Sequence, residues 1–241
     1  MFISVKHLNR DMGVSPEVAR FFVDRKVPND NIFWKGRLLY INRGNGYISI
    51  PVYYDLLHRI GLPLNMILEE SHIRFMEKVM HFAMLCEYNK ISFADQLDQI
   101  EQLLEGRITN RLFHDRLLGY LRQPVPMPLH GLGLELPSLN RADVFLYVLC
   151  DLPLSPAQTE HAIRLWYALH PTYLLMDDIH DYKSDKKAQD ENAIIELGDG
   201  PVGFARALEI IHGNISTLAE INPVLGSYFT LTLETLADYT N

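Results

Sequence analysis

PTYLLMDDIHDYKSDKKAQ, residues 171–189, carries the strongest structural signal in the chain. An apolar run gives way to four carboxylates, namely Asp177, Asp178, Asp181 and Asp185. Pro171 predicts the first turn of a helix, because proline has no N–H to lose at that position. At about 100° per residue, Asp177, Asp181 and Asp185 drift only about 80° around the helix, so they share one face.

Like charges at this spacing repel one another by roughly 0.2–0.5 kcal/mol per pair. Lysines in the same stretch, or a divalent cation, would offset that repulsion. Mg²⁺ binds carboxylate oxygens and shares them with substrate phosphates, and Mn²⁺ is the substitute we consider. Because an apolar run precedes the acids, the helix is predicted to emerge from a core. Two interpretations therefore stay open, a metal site at the four aspartates and a solvated acidic helix face.

The remainder of the chain after residue 51 has the periodicity of helices, so the predicted fold class is all-α. One long helix is expected over residues 62–90, and further helices are expected over residues 92–105, 111–122 and 141–151. Ser155 and Pro156 form a helix-start pair for the segment that ends at His170. Prolines and glycines over residues 123–138 predict a loop, with a lid over an apolar pocket as the alternative.

The acidic run resembles the second metal-binding motif of class I isoprenoid enzymes. Asp177, Asp178 and Asp181 match the Asp-Asp-x-x-Asp of prenyl diphosphate synthases. Asp177, Asp181 and Asp185 match the longer acidic pattern of terpene cyclases, and the tail Asp190–Ile194 is similar to its continuation. The resemblance implies a helical bundle around an apolar pocket, with Mg²⁺ ions at its mouth that bind a prenyl diphosphate.

The same resemblance implies roles for residues outside the acidic run. Diphosphate donors would be Arg141, Lys183, Lys186 and Lys187. Trp166 and Tyr167 precede the acidic run by about one helical turn or more, where they either line an apolar pocket or pack in the core. The family's first acidic motif corresponds here to Cys86-Glu87-x-x-Lys90, in which only Glu87 could bind a metal, and Glu69-Glu70 followed by His72 is the alternative. Both an enzyme that ionises or transfers the prenyl group and a non-catalytic binding protein stay open.

The first fifty residues differ in charge from the rest, at +4 against −12. Residues 4–28 resemble the helix-turn-helix of MerR-type regulators, with Gly13 in the turn and Ser15 capping the second helix. DNA phosphates would then be contacted by Arg20, Arg25 and Lys26. A β-hairpin is predicted over Arg37–Ile50. We therefore divide the chain into residues 1–50 and residues 51–241, and keep a plain helical hairpin as the alternative to a DNA-binding regulator with a helical sensor or dimerisation domain.

Composition narrows the class of protein further. The 241 residues are 48% hydrophobic and 22% charged, which is ordinary for a globular chain. With a net charge of −8, the surface as a whole is not expected to bind polyanions. Apolar stretches fall well short of the ~20 residues of a membrane helix. Two isolated cysteines and no apolar leader predict a cytoplasmic protein, which could form a homodimer.

Overall fold

The computed structural model describes residues 3–26, 40, 47–124 and 127–236. This part of the chain is mainly helical and contains no β-strand, which confirms the all-α prediction. The α-helices are α1 (Pro16–Asp24), α2 (Ser49–Arg59), α3 (Leu64–Ile67), α4 (Glu70–Glu87), α5 (Phe93–Leu104), α6 (Arg111–Leu121), α7 (Pro156–Ala188), α8 (Ala193–Glu196), α9 (Gly200–Ile221) and α10 (Pro223–Leu236). A π-helical turn spans His7–Asp11, and 3₁₀ helices span Pro137–Asn140 and Asp143–Leu149. Every helix in the described ranges is too short or too polar to cross a membrane.

Helix α7 is the centre of the fold, with α2, α8, α9 and α10 packed around it. It begins where Ser155 and Gln158 form a reciprocal capping box, which confirms the predicted start. Pro171 lies inside this helix, so the prediction that a new helix starts there is wrong. Pro171 is buried, and large apolar residues before and after it are buried too, so tertiary packing outweighs the backbone hydrogen bond that the proline removes.

The other predicted long helix, over residues 62–90, is divided into α3 and α4. The break lies at Glu69, whose carboxylate accepts hydrogen bonds from the backbone N–H groups of Ser71 and His72 at 2.8 and 3.0 Å. This side-chain cap satisfies donors that a continuous helix would have used, and so begins α4. Ser92 caps α5 through a capping box with Asp95, so this helix begins where the sequence predicted it.

The N-terminal segment packs on the far end of the chain. Asn222 Nδ2 donates to the carbonyl of Met12 at 3.0 Å, across 210 positions of sequence. Ser15 occupies the N-cap position of α1, but its side chain makes no capping bond, contrary to prediction, and its backbone N–H donates to Asp55 Oδ1 at 2.7 Å. Leu8 and Phe22 belong to the same buried core as Leu225. A separate module over residues 1–50 remains a prediction.

The predicted hairpin falls largely outside the described residues. Within Arg37–Ile50, the structure describes Tyr40 and residues 47–50. Tyr40 is helical, and Ser49 and Ile50 form the first turn of α2. The described part of this segment is therefore helix or turn, and the rest of the predicted hairpin lies outside the described residues.

Gly13 lies where the N-terminal segment packs against Asn222, and it is expected to tolerate no side chain there. Its φ is +68°, and an added Cβ would come within 2.5 Å of Asn222 Oδ1 and 2.8 Å of Val224 Cβ. We expect Gly13→Ala to lower the free energy of unfolding by about 2–3 kcal/mol, from backbone strain plus overpacking. Gly106→Ala is the matched control, because Gly106 has φ +73° with no atom within 4 Å of an added Cβ. Equal losses in urea denaturation would show that close packing at Gly13 contributes nothing.

Candidate functional site

Asp177, Asp181 and Asp185 lie on one face of α7, as predicted from their spacing. Asp177 is exposed, and no group in the described ranges donates a hydrogen bond to it. Partial desolvation raises the pKa of Asp177, the charges of Asp181 and Asp185 raise it further, and Arg141 and His180 act in the opposite direction. Asp181 and Asp185 therefore lie close enough to Asp177 to disfavour its charged form, and no described residue forms an ion pair with Asp177.

Asp178 differs from its three neighbours because both of its oxygens are used inside the protein. It is 4% exposed. Its Oδ1 accepts from Arg141 Nη2 at 3.2 Å, and its Oδ2 accepts from the backbone N–H of Ala193 at 2.8 Å. Burial raises the pKa of Asp178, and these two donors lower it. Asp178 thus fastens the start of α8 to α7, while Asp177 beside it faces outward.

Asn192 holds the last carboxylate of the row. This buried side chain donates from Nδ2 to Asp185 Oδ2 at 2.9 Å and to the backbone carbonyl of Asp178 at 2.8 Å. Its Oδ1 accepts from the N–H of Ile194 at 2.9 Å, so it also caps α8. The sequence shows Asn192 only as part of the acidic tail, and its bonding depends on the turn between α7 and α8.

The predicted diphosphate donors fall into two groups. Lys186 Nζ donates to Asp199 Oδ2 at 2.5 Å and to Tyr182 Oη at 3.0 Å, so its charge is already paired at the surface. Lys183 and Lys187 are exposed, and neither has a partner in the described part of the chain. Arg141 donates from Nε to the carbonyl of Ser138 at 2.7 Å, in addition to its contact with Asp178. Lys183 and Lys187 are therefore unpaired in the described part of the chain, whereas Arg141 and Lys186 each already have two partners.

Trp166 and Tyr167, predicted to line a pocket, both donate hydrogen bonds to Asp143. Trp166 Nε1 bonds Oδ1 at 3.0 Å and Tyr167 Oη bonds Oδ2 at 2.8 Å, while Tyr120 Oη also bonds Oδ2 at 2.7 Å. Asp143 is 1% exposed, and burial raises its pKa to about 6, although the three donors counteract that rise. The sequence offered one signal for this network, a single carboxylate at the head of the apolar run Asp143–Leu149.

The α7 face that leads inward from Asp177 carries His170 and Tyr173. The His170 ring stacks on Trp166, with centroids 4.7 Å apart and planes 8° apart. Tyr173 meets the edge of Phe229 in α10 at 5.1 Å. Both ring nitrogens of His170 and the hydroxyl of Tyr173 are buried without a hydrogen-bond partner. Burial lowers the pKa of His170 to about 3, with a smaller contribution from Arg141, so the imidazole is neutral.

Glu87 lies exposed in the last turn of α4, and its side chain bonds to no described residue. Helix α4 packs mainly against α5 and the 3₁₀ helix Asp143–Leu149. Within the described ranges, no group of three or more His, Cys, Asp or Glu side chains is positioned to hold a metal ion. Glu87 as a metal ligand therefore remains a prediction.

The predicted DNA-contacting residues are not equivalent. Arg25 is turned inward and forms ion pairs with Glu77 and Glu70 at 2.6 and 2.8 Å. Arg20 and Lys26 are exposed. The same exposed side of α1 carries acidic residues, Glu17 and Asp24. Since Arg25 is engaged and the remaining face has mixed charge, the geometry gives DNA binding no added support.

A second polar cluster was not expected from the sequence. Tyr54 Oη contacts His72 Nε2 at 2.9 Å, His72 Nδ1 contacts Asp151 Oδ1 at 2.8 Å, and Arg107 Nη2 donates to Asp151 Oδ2 at 2.7 Å. A cavity of about 350 Å³ borders His72, Asp151 and Arg107 at the start of α4. Burial raises the pKa of Tyr54 well above its ordinary value, so the phenol stays protonated. These residues are far apart in sequence, and no local pattern connects them.

Fold and site together define an all-α protein with a carboxylate row on its central helix. Comparisons of the chain with protein-family models, with curated proteins and with solved structures found no match. The function is therefore inferred from the site itself.

Proposed function

We propose that this protein binds an organic diphosphate with an apolar chain, such as a prenyl diphosphate, together with Mg²⁺ at Asp177, Asp181 and Asp185. The observation that carries the proposal is the state of Asp177. It is an exposed carboxylate without a hydrogen bond, and its pKa is raised by partial desolvation and by two neighbouring carboxylates. A divalent cation would relieve that repulsion.

A metal ion that the ligand shares needs only part of its coordination from the protein. Mg²⁺ is usually held by one or two carboxylates and completes its coordination with water and substrate phosphates. The free cations Lys183 and Lys187, and the nearby Arg141, would contact diphosphate oxygens. The proposal therefore requires that metal and diphosphate bind together. What we propose is binding. Whether the protein also cleaves the diphosphate ester is a separate question, which analysis of the products after incubation would answer.

The organic part of the ligand would lie along the inward face of α7. Trp166, His170 and Tyr173 precede Asp177 on that face, where Trp166 is buried and His170 and Tyr173 are partly exposed. Aromatic and aliphatic walls with a few polar groups are the usual lining of small-molecule sites. The charged end of the ligand would then stay at the surface with Asp177, and the apolar end would be removed from water.

Thermal unfolding with geranyl diphosphate and Mg²⁺ tests this proposal. At ligand about 100-fold above its dissociation constant, we expect stabilisation of about 2.7 kcal/mol, or roughly 5–10 °C for a chain of this size. Mg²⁺ alone and the diphosphate alone should each give a much smaller shift. Asp177→Asn should abolish the joint shift. Without ligand, the same variant should be at least as stable as the wild type, because it removes a carboxylate that its neighbours repel.

Asp190→Asn is the matched control, since Asp190 is an exposed aspartate just beyond the end of α7. It removes one charge near the site without touching the carboxylate row, and should keep the full ligand shift. A wild-type protein whose unfolding temperature is unchanged by Mg²⁺ plus diphosphate would contradict the proposal. So would an Asp177→Asn variant that responds as the wild type does.

A further inference from the structure

The cavity at the start of α4 is lined by side chains of both charges. Its volume is about 350 Å³, and its walls are formed by Met66, Glu69, Ser71, His72, Arg107, Asp151 and Leu152. None of the four aspartates of the carboxylate row borders it. The cavity is therefore a second candidate site, and its ligand depends on which of its charged groups still lack partners.

Asp151 and His72 form the closed wall of the cavity. Asp151 Oδ1 contacts His72 Nδ1 at 2.8 Å, and Asp151 Oδ2 accepts from Arg107 Nη2 at 2.7 Å. The other ring nitrogen of His72 contacts the Tyr54 hydroxyl at 2.9 Å. These polar atoms are all engaged and both side chains are almost completely buried, so they shape the wall and are not available to a ligand.

Arg107 is held in place and still has a donor to offer. Its Nη2 also donates to the carbonyl of Ser71 at 3.1 Å, and the guanidinium carbon lies 5.3 Å from the centroid of the Phe75 ring. Nη1 has no hydrogen-bond partner in the described part of the chain and, unlike Nε, keeps accessible surface. The side chain is 31% exposed, so a molecule in the cavity can reach Nη1. A guanidinium that is already oriented loses little freedom when it binds a carboxylate.

Glu69 brings a negative charge to the same cavity. Its Oε2 accepts from the backbone N–H groups of Ser71 and His72, whereas Oε1 bonds to no described residue. Hydrogen bonds from Ser71 and His72 lower the pKa of Glu69, so the carboxylate is ionised. Arg107 lowers that pKa slightly through space, but its own ion pair is with Asp151. One free cationic donor and one free carboxylate oxygen therefore border the same cavity.

We propose that this cavity binds a free amino acid with an apolar side chain, such as leucine. The ligand's carboxylate accepts from Arg107 Nη1, its ammonium donates to Glu69 Oε1, and its side chain lies against Met66 and Leu152. A simple carboxylic acid would be repelled by Glu69 and a simple amine by Arg107, so the zwitterion is preferred over both. This site uses neither Mg²⁺ nor Asp177, and it is independent of the function proposed above.

Titrations followed by the amide NMR signals of the isotope-labelled full chain test this proposal. The probes are leucine, isocaproate, which lacks the amino group, and isoamylamine, which lacks the carboxylate. We expect leucine to bind roughly fivefold or more tightly than either analogue, since each loses one charged contact near the surface. The signals of Ser71 and Leu152 should shift during the leucine titration. Equal affinities for the three probes, or no response to leucine at high millimolar concentration, would overturn the proposal.

Two variants assign the contacts. Glu69→Gln keeps a side-chain oxygen to begin α4 and removes the charge, so leucine should bind no better than isocaproate does. Arg107→Lys keeps a cation beside Asp151 and removes Nη1. It should weaken leucine and isocaproate roughly fivefold or more and leave isoamylamine unaffected. If Arg107→Lys does not fold, Glu69→Gln alone decides, and a Glu69→Gln variant that still prefers leucine over isocaproate as the wild type does would refute the proposal.

Glu105→Gln is the matched control. Glu105 is an exposed carboxylate two residues before Arg107 and does not border the cavity. Its replacement removes the same charge as Glu69→Gln and should leave all three affinities unchanged. If it weakened leucine as much as Glu69→Gln does, general charge rather than a contact in the cavity would explain the preference, and the proposal would fail. The diphosphate proposal is judged separately, by its dependence on Mg²⁺ and Asp177.

Discussion

Replacing Arg25 by methionine is expected to lower the free energy of unfolding by about 3–5 kcal/mol, the usual cost of removing one partner from a buried ion pair. The Arg25 side chain is 9% exposed and that of Glu77 is 3% exposed. Arg25 donates from Nε and Nη2 to the two oxygens of Glu77 at 2.6 and 2.9 Å. Without Arg25, Glu77 would keep the hydrogen bond from Tyr40 at 2.9 Å, but no cation from the described part of the chain would pair with it.

Urea denaturation of matched variants measures this effect. Arg74→Met is the control, because Arg74 pairs with the same Glu70 but its side chain is 64% exposed, and surface pairs contribute about 0–1 kcal/mol. The double variant Arg25→Met/Glu77→Leu should be less destabilised than the sum of the two single variants, because both charges leave the interior together. A loss in Arg25→Met no larger than in Arg74→Met would refute the structural role of the pair. A large loss would mean that Arg25, which the sequence predicted to contact DNA, stabilises the fold through its ion pairs.

Replacing Asp143 by alanine is expected to cost a similar amount, about 3–5 kcal/mol. The change leaves the donors of Tyr120, Trp166 and Tyr167 without their acceptor, and each unpaired buried group costs about 1–3 kcal/mol. Part of the loss should be recovered in Asp143→Asn, which keeps one acceptor oxygen and removes the charge. Calorimetric unfolding of the two variants beside the wild type gives the comparison. Equal stability of Asp143→Ala and wild type would show that the network contributes nothing.

The same carboxylate predicts a pH dependence. Burial raises the pKa of Asp143 to about 6 in the folded protein, from 3.8 in an unfolded chain. The folded state therefore holds this proton more tightly. Its contribution to stability is complete below about pH 4 and is lost as the pH rises through about 6. Asp143→Asn, which does not titrate, should lack this component when unfolding is measured between pH 4 and pH 7.

Local sequence patterns predicted much of the helical structure correctly. Ser92 and Ser155 begin helices because a side-chain oxygen, a following acceptor and an apolar period occur within a few residues of each other. The shared face of Asp177, Asp181 and Asp185 follows from helical geometry alone. Such features depend on neighbours three or four positions apart, which one stretch of sequence contains in full.

Sequence failed where distant parts of the chain decide the outcome. Pro171 illustrates this for helix boundaries, since burial by other parts of the chain carried one helix through a proline. Asp178 and Asp177 are adjacent and chemically identical, yet one accepts bonds from Arg141 and Ala193 while the other faces outward. The partners of Asp178 come from a turn 15 residues further along the chain and from a segment 37 residues earlier.

The sequence by itself thus determined the helical class of the protein and the spacing of its carboxylate row, because both arise from the repeat of a single helix. Only the tertiary structure decided which charged groups are already paired. Arg25 meets Glu77 across 52 positions, and Tyr120 meets Asp143 across 23. Whether a charge is buried, bonded or free depends on such contacts, since desolvation and hydrogen bonding act through space and not along the chain.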